Sequence, residues 1–315
     1  MGEVFYVLSG VFLGWSLGYH DAANIFGSAV SSRMLKFWIA AILAAIFVLI
    51  GAVWEGKAGI ETLAGLTHLT LQFAVISSIS AAITVTIMTT IGLPVSTSQA
   101  AVGAIVCIGF LNHQLNVTGL GKVVVCWFGT PVGAAVIAIL TYMGLRALYN
   151  RLEMNFIQSD VLLRLCLIAA GSYGAYALGA NNVANVTAVF VGAGLLSSFS
   201  ATLIGGLSIG IGCLTFSREV AETVGRKLVR LDAFSALVVV LAEAVTIHIY
   251  TFVGVPVSAS QAVVGGVLGV GILKGINTIR RQTLVNILLG WFLTPMVACF
   301  FALAISFASH LHYMP

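Results

Sequence analysis

Charge is what this sequence has least of: only 8% of its 315 residues are Asp, Glu, Lys or Arg, where a water-soluble domain carries about 25%. With 60% of the residues hydrophobic, that scarcity excludes a soluble enzyme. The 14 Lys plus Arg exceed the 10 Asp plus Glu by four charges, too thinly spread for a nucleic-acid surface, so no nucleic-acid partner is expected. Cysteines are few. Cys107, Cys126, Cys166, Cys213 and Cys299 lie inside apolar runs without C-x-x-C spacing; neither a zinc site nor a disulfide framework is indicated, and they read as small core hydrophobes. A basic leader is missing as well. The first apolar run carries Glu3 and leads into a polar cluster rather than a small-residue cleavage site, unlike a signal peptide.

What is present is apolar sequence. Runs cover roughly residues 4–31, 37–54, 67–111, 121–146, 161–195, 201–216, 232–273 and 283–308, two of them interrupted by Pro94 and Pro256. They are apolar on both alternating sets, without the period-two pattern of a membrane barrel. The sequence therefore predicts an all-α polytopic integral membrane protein of the plasma (inner) membrane. Basic residues gather at Arg33 and Lys36; at Arg146 and Arg151; at Arg218, Arg226, Lys227 and Arg230; and at Lys274, Arg280 and Arg281. The positive-inside rule puts those loops in the cytoplasm and both termini outside.

The two halves, 1–155 and 156–315, are duplicates. Gly18–Asn24 reads G-Y-H-D-A-A-N and Gly179–Asn185 reads G-A-N-N-V-A-N; Pro94 opens P-V-S-T-S-Q and Pro256 opens P-V-S-A-S-Q; W-F-G-T-P at Trp127 matches W-F-L-T-P at Trp291. Loop charge reverses between the copies: the Arg33–Lys36 loop is basic while its counterpart near Ser197 is uncharged, and the next loop inverts this. An odd number of crossings per copy requires such a swap, so two inverted-topology repeats are expected, with broken helices and Pro-Ser helical hairpins.

The chemistry concentrates in the duplicated motifs. His20, Asp21 and Asn24 in the first copy, with Asn181, Asn182 and Asn185 in the second, are costly in hydrocarbon. A helix broken at Gly18–Asn24 accommodates them: freed carbonyls and Asn/Asp oxygens suit a coupling cation, with Na+ at Asp21, and His20 adds the option of H+. The alternative is a Gly-hinged kink with Asn residues bonding helix to helix. A new helix is expected to start at each proline. Ser96, Thr97, Ser98, Gln99, Ser258, Ser260 and Gln261, with Asn181, then supply neutral donors and dipole ends for a tetrahedral oxyanion; capping and small-residue packing are the alternative. Glu243 sits mid-run without a basic neighbour and joins the cation-binding or coupling set. Glu55 and Glu222, at matching ends in the two halves, are gating candidates or solvated salt-bridge partners. His248 reads as a packed or interhelical histidine.

At these residues the chain resembles the inorganic phosphate transporter (PiT) family, whose halves each carry a G-A-N-D-V-A-N type and a P-V-S-T-T-H type motif. The resemblance covers nearly the whole chain and extends to E-T-V-G-R-K at Glu222–Lys227. It implies uptake of inorganic phosphate coupled to Na+ or H+ without another cofactor, an inverted-repeat helical fold and a homodimer. It also implies Asp21, Asn24, Asn181 and Asn185 at the ion and substrate sites, with the serines after Pro94 and Pro256 on the anion. His20 replaces the first motif's Asn, Asn182 the second motif's Asp, and Gln99 and Gln261 stand where the family usually has His. Some relatives carry sulfate, which stays open as the alternative anion. An intramembrane hydrolase is the rival from another class, but every candidate Ser is duplicated with its Pro, whereas catalysis needs one asymmetric site. A passive anion channel is a further alternative.

Overall fold

The computed structural model describes the chain except for residues 1, 32, 68–69, 92–94, 216–230, 276–280 and 312–315. Among the described residues the fold is all-helical: α1 Gly2–Ser31, α2 Phe37–Glu55, α3 Lys57–Ala64, α4 Leu71–Thr90, α5 Thr97–Leu111, α6 Val117–Tyr149, α7 Phe156–Gly192, α8 Ser198–Thr215, α9 Ala233–Val253, α10 Ala259–Lys274 and α11 Arg281–Leu311. Seven of them, α2, α4, α6, α7, α8, α9 and α11, are long and apolar enough to cross a membrane. The protein is an integral membrane protein. Glu222 and the basic cluster Arg218 to Arg230 lie outside the described residues, as does Pro94.

Side-chain size sorts by face. On α2, Trp38, Ile42, Ile46 and Ile50 point outward at i, i+4 spacing while Ala40, Ala44, Val48 and Ala52 are buried. Phe128, Val132, Val136 and Leu140 of α6 likewise point outward, with Ala134 and Ala138 inside. Large residues face the lipid and small ones let helix axes approach, because lipid tails give no hydrophobic reward for burying a Leu between helices.

Two local expectations are corrected. α1 and α7 run unbroken through Gly18–Asn24 and Gly179–Asn185; the polar side chains there find partners on one another and on neighbouring helices, so the backbone need not unwind. The expected Pro interruptions are present: α4 ends at Thr90 before α5 starts at Thr97, and α9 ends at Val253 before α10 starts at Ala259. The new helices also begin later than the prolines: α5 starts at Thr97 after Ser96 and α10 at Ala259 after Ser258. Each serine is the N-cap, its hydroxyl accepting from the backbone N–H of Gln99 or Gln261 at 3.3 Å, which satisfies a donor that proline cannot.

The helical hairpins are present. Lys274, the last residue of α10, bonds Asp232, the N-cap of α9, so the two ends of that hairpin lie side by side. Partial burial works against the Asp232 carboxylate, but Lys274 and the Ser235 amide and hydroxyl hold it below the usual carboxylate range. In the first half Thr67, just ahead of α4, lies against Gly109 near the end of α5.

Helices of one half pack chiefly on helices of the other, in reciprocal pairs: α1 on α8 and α7 on α2; α5 on α11 and α10 on α6. The contacts correspond residue by residue. A Cβ at Gly18 would collide with the carbonyl of Ile209, and one at Gly179 with that of Val48; a Cβ at Gly103 would collide with Pro295, and one at Gly265 with Pro131. Each residue and its repeat counterpart exchange roles, as self-complementary contacts about a two-fold axis do.

Gly265→Val is therefore expected to destabilise the protein by about 1–3 kcal/mol through overpacking, whereas Gly133→Val, whose Cβ meets nothing within 4 Å, should cost far less. Thermal unfolding in detergent checks the ranking.

Candidate functional site

Four segments bring the polar residues together: the motifs within α1 and α7, and the N-terminal turns of α5 and α10. His20, Asp21, Asn24, Asn181, Asn182, Asn185, Ser96, Thr97, Ser98, Gln99, Ser258 and Gln261 are all buried, and Ser260 nearly so. No Lys or Arg is among them.

The two helix starts grip each other's preceding strand of backbone. Ser98 Oγ of α5 donates to Val257 O at 2.8 Å, and its counterpart Ser260 Oγ of α10 donates to Val95 O at 3.0 Å. These are the carbonyls that an interrupted helix leaves without an intrahelical donor. Asn181 completes the second break, donating from Nδ2 to Val255 O at 3.0 Å and accepting from Val257 N at 2.7 Å. Both N-terminal turns are thereby fixed in one place, with their dipole ends and first-turn amides on a shared center.

The motif residues divide by charge. On α1, Asp21 Oδ1 accepts from Asn24 Nδ2 at 3.1 Å and Oδ2 from Thr97 Oγ1 at 3.2 Å. His20 Nε2 stands 3.8 Å from Asp21 Oδ1, and its Nδ1 is 3.2 Å from Thr89 Oγ1. On α7, Asn182 Oδ1 accepts from Asn185 Nδ2 at 2.8 Å and lies 3.0 Å from Ser98 Oγ, competing with Val257 O for its one proton, while Ser98 Oγ accepts from Asn185 Nδ2 at 2.9 Å. The i, i+3 bond of Asp21 with Asn24 thus recurs as Asn182 with Asn185. Ser258 and Ser260 hydroxyls pair at 2.9 Å.

Several buried atoms of this cluster have no hydrogen-bond partner: Gln99 Oε1 and Gln261 Oε1, in matching positions, with Asn182 Nδ2 and Asn185 Oδ1. A buried polar group without a partner costs about 1–3 kcal/mol, so each of these atoms calls for an explanation, a bound water or ligand among them. Asp21, two neutral carboxamides and hydroxyl oxygens are hard donors suited to Na+. Among the described residues no group of three or more His, Cys, Asp or Glu gathers as a metal cluster.

Glu55 and His248 lie apart from this cluster. Glu55 Oε2, at the end of α2, accepts from His248 Nε2 at 2.7 Å, and His248 Nδ1 is 2.7 Å from Tyr173 OH. His248 is the interhelical histidine expected from its position, tying α9 to α2 and α7. Its pairing with Glu55 was not legible, because 193 residues separate the two. Thr89 and the backbone carbonyls of Val95, Val255 and Val257 were likewise missed; a carbonyl has no sequence signal beyond the neighbouring Pro. Glu243 is fully buried on α9.

Known proteins share this layout. The model of the phosphate transporter family matches residues 17–302. The sulfate permease CysP of Bacillus subtilis is 29% identical over 311 residues, covering 97% of this chain and 86% of that protein. A Methanocaldococcus jannaschii protein bearing the name putative phosphate permease is 29% identical over 282 residues, 90% of this chain and 89% of its own. A solved structure described as the sodium-dependent phosphate transporter has the same fold, with a TM-score of 0.88 over 99% of this chain and 100% of that one at 22% identity.

Ser98→Ala leaves Val257 O without its donor and removes one contact from each of Asn182 and Asn185, which keep each other, whereas Ser260→Ala leaves Val95 O without its donor and removes one contact from Ser258, which keeps the Gln261 N–H. We expect Ser98→Ala to lower the unfolding temperature more, the orphaned carbonyl costing about 1–3 kcal/mol in either variant and the two weakened Asn contacts adding to it. Equal unfolding temperatures would contradict the network.

Proposed function

The chain belongs to the phosphate transporter family, and from that premise we propose that it is a secondary active transporter, not an enzyme, taking up inorganic phosphate with Na+ or H+ by alternating access. The observation that carries this reading is the meeting of the α5 and α10 starts, one from each half, with unpartnered Gln99 and Gln261 oxygens beside them. Ser96, Thr97, Ser98, Gln99, Ser258, Ser260, Gln261 and Asn181 hold the anion. Hydroxyls, amides and dipole ends neutralise enough of its charge to bind it, and the absence of a Lys or Arg among them leaves it free to depart. The unpartnered carboxamide oxygens accept the proton of hydrogen phosphate.

Asp21, with Asn24, takes Na+; Asn182 and Asn185 form its neutral counterpart. Removing the charge loses on the order of 4 kcal/mol at about 4 Å and an effective dielectric near 20, before desolvation. The reciprocal packing of the halves, 1–155 and 156–315, supports inverted repeats that exchange conformations about the shared centre. Glu55 and Glu222, which the inverted topology puts at opposite ends, are the gating residues, and the protein works in the plasma membrane as a homodimer with both termini outside.

Sulfate is the second reading. It is favoured by the sulfate permease similar to 97% of this chain and by the neutral donor set, which suits a permanent dianion. Uptake of labelled phosphate and sulfate into proteoliposomes, with Na+ and proton gradients imposed separately, tests both. No concentrative uptake of either anion would overturn the transporter reading.

Ser96→Ala and Ser258→Ala should each weaken apparent anion affinity, by roughly two- to twelvefold for a net hydrogen bond of about 0.5–1.5 kcal/mol. Unchanged affinity in both removes the motifs from the site. Asp21→Asn should abolish Na+-driven accumulation while Asn182→Asp is tolerated or strengthens Na+ dependence; full Na+-driven accumulation by Asp21→Asn refutes the role of the carboxylate. Single cysteines placed beside Arg33 and Arg226 should both be shielded from an impermeant thiol reagent in intact cells, and labelling of one alone contradicts the inversion.

A further inference from the structure

Among the described residues, Glu243 is the buried carboxylate that the anion and Na+ assignments leave without a task. It is 0% exposed, in the middle of α9, and neither Oε1 nor Oε2 has a hydrogen-bond partner. The nearest polar side chain on its own helix, Thr246, donates its hydroxyl to Ala242 O instead. α9 meets α1 and α7 here: Ala244 lies against Gly174, which in turn faces Ile25, one turn beyond Asp21. An ionised carboxylate in such a place has lost water and gained no donor, a cost of several kcal/mol that proteins avoid by keeping the group neutral.

The groups on the packed elements leave proton binding as the means of neutralisation. On α1, Asp21 is close enough for its charge to act on Glu243, and it is of the same sign; His20 is turned to Thr89 and Asp21. On α7, Tyr173 and Tyr176 gather about Glu55 and His248. On α6, Cys126 lies by Lys122 and Tyr250, and Tyr142 packs on Phe234. On α10 the terminal Lys274 is held by Asp232, and Lys57 of α3 pairs with Glu61. None brings a positive charge to Glu243.

The geometry points to Glu243 as the proton-binding site of the transport cycle: it holds a proton while it is buried among the helices and releases it when the site opens to water on the far side. This inference rests on the transporter reading above and names its coupling ion. The balance is simple: one proton is taken up by the carboxylate on one face of the membrane and given back to water on the other, with no bond made or broken elsewhere.

Proteoliposomes containing full-length protein test this, with labelled phosphate and labelled sulfate as probes in wild type and Glu243→Gln. Two readouts are needed: anion exchange at equal pH, and net accumulation with the interior alkaline by one pH unit. One unit is worth about 1.36 kcal/mol, so a coupled proton drives at most about tenfold accumulation. Expected is wild type that accumulates toward that limit, and Glu243→Gln that exchanges at a comparable rate but does not accumulate. The anion titrates identically in both proteins, so any difference belongs to residue 243. Accumulation by Glu243→Gln equal to wild type overturns the inference. So does loss of exchange in a Glu243→Gln protein of unchanged thermal stability, which would place the carboxyl in anion binding. Wild type that exchanges but ignores the pH gradient sinks this inference alone; wild type that exchanges neither anion sinks the transporter reading and this inference with it.

Discussion

Hydrocarbon supplies no hydrogen-bond partner, and a chain that interrupts its helices inside it must find partners for every carbonyl and amide it frees. Here the two halves do this for each other. Ser98 covers Val257 O and Ser260 covers Val95 O, so neither interruption is stable without the opposite half in place. Asn181, from a third element, clamps both sides of the break at 254–258. The two helix starts are therefore locked together by the same bonds that make the breaks tolerable, and a pair of facing N-termini is the consequence.

The close approach of helices follows from that exchange. Once each half must reach into the other, the crossings have to be tight, and glycines sit where backbone meets backbone: Gly18 on Ile209, Gly179 on Val48, Gly265 on Pro131. Bulk is relegated outward, to Trp38, Phe128 and Phe292, where the lipid accepts it without penalty. The polar centre is thus wrapped in small residues, and van der Waals contact between backbones holds it rather than a large-residue core.

Duplication gives two equivalent frames, and substitution makes them unequal. Asp21 and Asn182 occupy matching places, but only the first is a carboxylate. Thr97, which donates to Asp21, has Ala259 as its counterpart, so the hydroxyl is lost together with the charge it served. The first copy keeps a carboxyl group; the second becomes a carboxamide bracket for the α5 start, through Ser98, Asn182 and Asn185.

Much of this was legible in the sequence because lipid leaves few solutions. The lack of charge and the long apolar runs determined a helical membrane protein, and the duplicated Pro-Ser and Gly-Asn motifs named polar residues that the packed helices bury together. Sequence patterning marked the interruptions ahead of α5 and α10 but did not tell which polar cluster would break a helix. It pointed to Gly18–Asn24, yet α1 and α7 run on, because whether a buried polar side chain unwinds its helix depends on the partners that other helices bring. Ser96 and Ser258 likewise turned out to cap their own helices, while Ser98 and Ser260 reach across; four serines alike in sequence are separated only by the direction each faces. The pairing of Glu55 with His248 and the isolation of Glu243 are decided by contacts between helices far apart in the chain, which periodicity cannot record. What local sequence fixes is which groups are too polar for lipid; which of them are satisfied, and by whom, only the packed helices settle.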